Sequence, residues 1–453
     1  MTVNSKLLIG SGLLLGAIAA PAVGQSRSSV AARQSEEIRL LKEQVKALTA
    51  RLDAQEAATR AAAAPATALP TAEAEEVVQS APATIASPAV AGIAVAATVA
   101  APANATPGQA MVAQSSAPAP APKWYESTRI NGRIYYNFSS ISRASDGVKT
   151  ETGSGFAIKR VYIGIDHKFD DMFAVNITTD IAPVVGPNDG NLVGNGLFIK
   201  KGYLEVKFDP AAILRIGAAD TPWVPFVENI YGLRHIENTI TDRTAFATSA
   251  DWGFHLLGTF GDGLVSYQAS IIDGGGYRQP RFSQSLDVEG RISAHYKGFT
   301  AGFGGYYGNL AKDTTGVETF NKATRITALI AYQNKLFTIG GEAFDAKNFK
   351  QVTLPTPDEA TGFSVFGSVY PVRKWTLFGR YDHIRPSLED APAETGDYVN
   401  IGVQFSPVQI IDFGLVYKHE RVRGGTLTTS NGVIGGVIGG TFDEFGLFGQ
   451  VRW

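Results

Sequence analysis

Apolar and polar positions divide the chain into four stretches of different rhythm. Leu7 to Ala20 is apolar throughout apart from Gly and Ser, and Lys6 precedes it. Between residues 36 and 60 the rhythm is 3-4-3-4, with Ile38, Leu41, Val45, Leu48 and Leu52 on one seam. Residues 61–122 show no sustained period. After Trp124 the period falls to two. In 128–141, Ile130, Gly132, Ile134, Tyr136 and Phe138 alternate with Arg129, Asn131, Arg133 and Asn137. In 171–182, Phe173, Val175, Ile177 and Ile181 alternate with Ala174, Asn176, Thr178 and Asp180, and 397–406 repeats the pattern.

Each rhythm predicts an element. A basic start, an apolar run and the small residues Ala22-Val23-Gly24 predict an export signal cleaved before Gln25, so residues 1–24 are expected to be a signal peptide. The run is shorter than the ~20 residues a spanning helix needs. The heptad seam predicts a helix over 36–60 that self-associates as a coiled coil. Its β-branched and Leu choices lean towards a dimer, a lean that a barrel packing as a trimer could override; the alternative is an amphipathic helix packed on its own barrel. Repeated prolines between Pro65 and Pro122 prevent a long helix and predict an extended periplasmic linker over 61–122.

Period-two runs recur about sixteen times within 123–453, joined alternately by short turns and long connections. That predicts an all-β domain, a 16-stranded antiparallel transmembrane β-barrel with tight turns at one rim and long loops at the other. The longest connection, 221–249, is a candidate constriction loop carrying Arg234 and Arg243. Trp453 ends the last alternating strand on the same face as Phe445, Leu447 and Val451. Such a terminal aromatic resembles the signal read by the outer-membrane assembly machinery.

Composition sharpens this picture. The 25 Phe and 16 Tyr lie after residue 122 with most of the 49 Gly, as twisted strands with interfacial girdles require. Forty Lys+Arg stand against 42 Asp+Glu, so no bulk field draws the chain to nucleic acid. There is no cysteine, hence no disulfide, thiolate metal site or Cys nucleophile. His167, His235, His255, His295, His383 and His419 show no metal-ligand spacing. No Gly-x-Ser-x-Gly elbow or phosphate-cradling Gly loop occurs. Neither enzyme activity, metal nor cofactor is therefore expected.

Several segments resemble the phosphate-selective porins, the porin O and porin P group. The strand Phe156 to Ile165 is similar to the family's basic strand. Tyr203-Leu204-Glu205-Val206, then Leu214-Arg215-Ile216-Gly217 with Pro222 and Pro225-Phe226, follow in the family's order, as do Asp251-Trp252-Gly253, Asp273-Gly274 and Gly379-Arg380-Tyr381-Asp382. Ala157 and Tyr162 stand where the family strand has Arg, and Ala250 where it has Arg before Asp251. The resemblance implies a trimeric sixteen-stranded barrel in the outer membrane lipid, passing phosphate or polyphosphate along an Arg-lined lumen.

Strand alternation places Arg129, Arg133, Arg160, Lys168, Lys201, Arg215, Arg291, Arg325 and Arg380 on the lumen face, with Asp166, Asp180, Glu205, Glu289, Glu342 and Asp382. Fixed cations on that face would replace part of an anion's hydration. The expected function is a water-filled outer-membrane channel for small anionic solutes, with the helix and linker in the periplasm. The alternative is a structural barrel that tethers the outer membrane to peptidoglycan through 25–122.

Overall fold

The computed structural model describes Lys46 and residues 123–183 and 195–453. Lys46 is helical. The expected signal peptide, the seam Ile38, Leu41, Val45, Leu48 and Leu52, and the linker lie outside the described residues.

Residues 123–453 form a closed antiparallel barrel of sixteen strands. Its first half comprises β1 (Thr128–Ser145), β2 (Val148–Lys168), β3 (Phe173–Pro183), β4 (Asn195–Asp209), β5 (Ala212–Asp220), β6 (Ala250–Phe260), β7 (Val265–Ile272) and β8 (Asp287–Tyr296). β9 (Phe299–Gly308), β10 (Ala323–Gln333), β11 (Phe337–Lys347), β12 (Glu359–Val369), β13 (Trp375–Arg385), β14 (Thr395–Val408), β15 (Ile411–Arg423) and β18 (Gly439–Arg452) complete it. A separate hairpin, β16 (Thr426–Thr429) and β17 (Gly432–Gly435), occupies the last long connection.

Closure is made by β1 against β18, where Arg133 to Ser145 face Arg452 to Gly440. A closed ring leaves no free edge whose backbone groups would be unsatisfied in hydrocarbon. At the seam, Gly132 and Trp453 exchange two backbone hydrogen bonds (3.1 and 3.2 Å). The Trp453 indole lies across Gly132 so closely that a Cβ there would sit 2.1 Å from the ring. Glycine is thus what lets the terminal aromatic fold onto the first strand.

The side-chain alternation is realised as expected. Ile130, Ile163, Ile177, Leu204, Ile292, Phe303, Ile330, Ile339, Leu377, Ile401, Leu415 and Leu447 are exposed on the outside. Nearer the short-turn rim the outside turns aromatic, with Trp375 on Phe405 (4.8 Å), Phe299 on Tyr332 (4.5 Å) and Phe260 stacked on Tyr267 (5.6 Å). An apolar band edged by aromatics is a surface made for hydrocarbon.

Two regions depart from the expected strand pattern. β1 and β2 run on to a two-residue turn at Asp146 (φ 49°) and Gly147 (φ 80°), the pair of positive φ values that a type I′ hairpin needs. In addition, the connection 421–441 carries the β16–β17 hairpin. Leu427 and Ile434 from this hairpin are buried inside the barrel against Ile240, Phe344 and Phe442. Its place is held partly by Asp146, whose carboxylate accepts the backbone N–H groups of Val437, Ile438 and Gly439 (3.0, 2.7 and 3.1 Å).

Candidate pore constriction

The segment 221–249 enters the barrel, as expected of a constriction loop. It begins with helix α1 (Val224–Tyr231), which Pro225 starts near its first position and Gly232 ends in the left-handed conformation (φ 75°). The helix is amphipathic. Val224, Val227, Ile230 and Tyr231 are buried, while Glu228 and Asn229 lie on a cavity. Trp223, Leu233 and Ile236 join the buried face and pack on inward-pointing Leu329, Ala331, Phe366, Phe378, Val416 and Phe448. Apolar residues pointing into a barrel lumen need such a cover, and each large side chain buried there gains roughly 1.5–3 kcal/mol. A second short helix, α2 (Ile240–Arg243), continues the loop across the lumen.

Three of the expected pore-lining or constriction arginines serve a different purpose. Arg325 and Arg380 point inward as the alternation requires, but their guanidinium groups are buried under the loop rather than facing water. Arg325 bonds Glu289 (2.7 Å) and the Phe246 carbonyl. Arg380 holds Asp382 (2.7 and 2.6 Å) and donates to the Asn238 carbonyl (2.5 Å). Arg243, on the loop itself, is clamped between Asp382 (3.1 Å) and Glu420 and lies over the Tyr398 ring (4.4 Å). Burial opposes its charge, but Glu420 and Asp382 raise its pKa above the usual arginine value. The inward apolar wall covers both the residues and their charges, so inward direction alone does not make a pore lining.

Further tethers come from around the wall. Trp223 Nε1 donates to Glu342 (2.8 Å), Lys159 to the Ile236 carbonyl (2.9 Å), and Lys418 to Glu237 (3.2 Å). Ser430 of the inner hairpin reaches Glu237 (2.6 Å) and donates its N–H to the Arg243 carbonyl (2.9 Å). Although burial would raise it, the Lys418 and Lys159 charges hold the Glu237 carboxyl well below the usual range.

What the loop leaves open is a cavity of about 440 Å³ against β1–β5 and the end of β18. Its charged lining is Arg133, Lys200, Lys201, Arg234 and Arg452 against Asp166, Asp220 and Glu228. The carboxylates are occupied. Asp220 takes Lys201 (2.6 Å), Glu228 takes Arg234, and Asp166 accepts from Asn131 (2.7 Å) and Asn176 (2.5 Å). Arg133 and Lys200 have no ion-pair partner among the described residues. The Lys200 ammonium lies 4.6 Å from the Tyr162 ring. His235 also borders the cavity, and burial, then the Lys159 charge, pushes its pKa down to about 3. It adds no positive charge at neutral pH.

The other expected residues line the wall in pairs or at its ends. Arg160 holds Asp180 (2.9 Å), and Arg215 holds Glu205 (2.9 Å) with its guanidinium on Tyr203 (4.9 Å). Arg291 bonds the Pro222 carbonyl (2.9 Å) beneath Phe226 and supports the loop's base. Arg129 and Lys168 are exposed near the short-turn rim.

Two functional residues lay outside the alternation. The β1–β2 register skips Lys159, and the β3–β4 register skips Lys200. Each is the extra residue of a β-bulge. The bulges turn consecutive residues inward, Lys159 with Arg160 and Lys200 with Lys201. Strict alternation assigns Lys159 and Lys200 to the lipid face, at about 2–4 kcal/mol each near the midplane. That cost was the readable signal, since a Lys-Arg or Lys-Lys pair in a spanning strand calls for a bulge.

No protein family and no curated relative matches the chain. Solved structures do. An anion-selective porin from Comamonas acidovorans matches with TM-score 0.56 and 12% identity, covering 72% of this chain and 99% of that one. Salmonella typhi OmpF in complex with daunomycin matches with TM-score 0.51 and 9% identity, covering 72% and 97%. These likenesses and the closed strand order together establish that residues 123–453 carry the sixteen-stranded fold of the outer-membrane porins.

Proposed function

We propose that this chain is an outer-membrane channel through which small anions, phosphate-like ones among them, diffuse passively. The observation that carries the reading is the cavity beside the constriction loop, where a bulge adds Lys200 to the wall and every lining carboxylate is already engaged. Arg133 is exposed to a passing anion and Lys200 adds its charge from the cavity's edge, both acting strongly because the loop narrows the water path beside them. The Comamonas acidovorans neighbour, an anion-selective porin, supports the same reading. Assembly as a homotrimer would bundle the 36–60 helices in the periplasm behind the linker, the barrel overriding the seam's lean towards a dimer; Trp453 at the closure seam suits a role in recognition by the assembly machinery.

The test is the reversal potential of the purified full chain in a planar bilayer under a potassium chloride gradient. A potential of the sign set by chloride is expected, and added inorganic phosphate should lower the chloride current as it competes for the same cations. A cation-selective potential would remove the anion reading.

A further inference from the structure

The exterior of β13–β15 and β18 carries a feature that the channel does not use. Tyr381-Asp382-His383 on β13 and Tyr417-Lys418-His419 on β15 place a Tyr and a His on the outer face, two residues apart. Each pair meets an aspartate on the next strand round the ring. The Tyr381 hydroxyl and His383 Nδ1 reach Asp397 Oδ1 (2.7 and 2.9 Å), and the Tyr417 hydroxyl and His419 Nδ1 reach Asp443 Oδ1 (2.7 and 2.9 Å). Beside these two clusters, Arg385, Arg421 and Arg423 are exposed. Only Arg423 has an ion-pair partner among the described residues, Asp397. The aspartates are thus satisfied from within, and guanidinium N–H groups are left for an external anion.

Height decides what that anion is. Trp375, Phe405 and Phe413 mark one edge of the apolar band. Arg385 and Arg423 each lie ten residues further along their strands from Trp375 and Phe413. At about 3.3 Å per residue and a tilt near 40° they sit roughly 25 Å above it, the thickness of the band. Exposed Leu377, Val399, Ile401, Leu415 and Phe445 fill the space between. An occupant that satisfies both levels has apolar chains along the band and an anionic head at the arginines.

We propose that this face binds the phosphorylated headgroup of an outer-leaflet lipid, its chains lying on the band below. Arginine suits the task because its planar fork pairs with phosphate oxygens in bidentate fashion. The two Tyr–His–Asp clusters stiffen the strands that carry the three arginines. The inference rests on the membrane placement given above but not on the solute that crosses the pore.

The test uses the full chain in non-ionic detergent, titrated with bisphosphorylated lipid A or with the same lipid stripped of phosphate, and read by native mass spectrometry. Removing the phosphates is expected to weaken retention at least tenfold, and so is the triple change Arg385→Ala, Arg421→Ala and Arg423→Ala. Conductance of the triple variant should match wild type, since none of the three borders the lumen. Should it fail to assemble, Arg421→Gln, which breaks no ion pair, is expected to cost about three- to tenfold by itself. Equal retention of the two lipids would overturn the proposal, as would unchanged binding by the variants. Loss of oligomerisation with lipid binding intact would overturn it too, because the face would then join copies of the chain. Lipid retention in a preparation without conductance would instead count against the channel reading alone.

Discussion

The two sides of the lumen use the same residue types to opposite ends. On the side of β10–β15, inward Arg325 and Arg380, with Arg243 of the loop, are buried, paired with carboxylates and covered by an apolar loop face. On the side of β1–β5, Arg133 is exposed and Lys201 half-buried along the cavity, with Lys200 buried at its edge against Tyr162. The first set ties the loop to the wall, and in the proposed function the second gives the cavity its charge. Counting inward arginines around the ring would merge the two sets, and only the position of the loop separates them.

The sharpest break of this contrast is Arg243→Ala. It leaves Asp382 and Glu420 with one buried partner fewer, and removal of such a partner costs about 3–5 kcal/mol. A lower unfolding midpoint in urea is expected, with larger and noisier single-channel conductance as the loop comes free. The sign of the reversal potential should not change. A flipped sign would show that the clamp also filters ions.

Deleting Lys200 asks the complementary question of the other side. The bulge would become a regular strand, with Lys201 still inward opposite Thr178 and the barrel still closing. One charge near 4 Å is worth about 1 kcal/mol in water, so the anion-over-cation permeability ratio should fall roughly two- to fivefold. Failure to assemble would mean the bulge is needed for closure rather than charge.

Smaller effects sharpen the boundary between the two sides. His235 is neutral when buried, and its pKa of about 3 lies below the ordinary value near 6.5. The unfolded chain therefore binds the proton more readily, so His235 contributes stability above about pH 6.5 that is lost as pH falls towards 3. Protection factors of the loop amides should fall across that window in wild type, and the fall should flatten in His235→Asn. Smallest of all is Asp146→Asn. Backbone N–H groups of Ile438, Gly439 and Val437 hold the Asp146 carboxyl below its usual value. Wild type should keep the 436–439 connection ordered until pH falls below about 4, whereas the Asn variant should show the same protection factors there at every pH.

Much of the barrel could be read from the alternation because its physical cause is local. A strand with one face in hydrocarbon and one in water must alternate, and β3 and β14 match the spans 171–182 and 397–406 that the pattern predicts to within two residues. The loop 221–249 stood out by length. What escaped was set by distant partners. Leu329, Phe366, Phe378 and Phe448 point inward although they are apolar, and only the loop's arrival explains them. Leu427 and Ile434 looked like loop residues because their partners lie on α2 and the opposite wall. Lys159 and Lys200 were not among the expected lumen residues, because a strict period of two admits no bulge.

One comparison bears most directly on the division of labour inside the lumen: the reversal potential under one salt gradient for Arg133→Glu/Lys200→Glu and for Arg380→Gln. The double variant is expected to turn an anion-selective potential into a cation-selective one, and the single variant to keep the wild-type sign. An unchanged sign in the double variant, or a reversed one in Arg380→Gln, would contradict the assignment of selectivity to the wall of β1–β5.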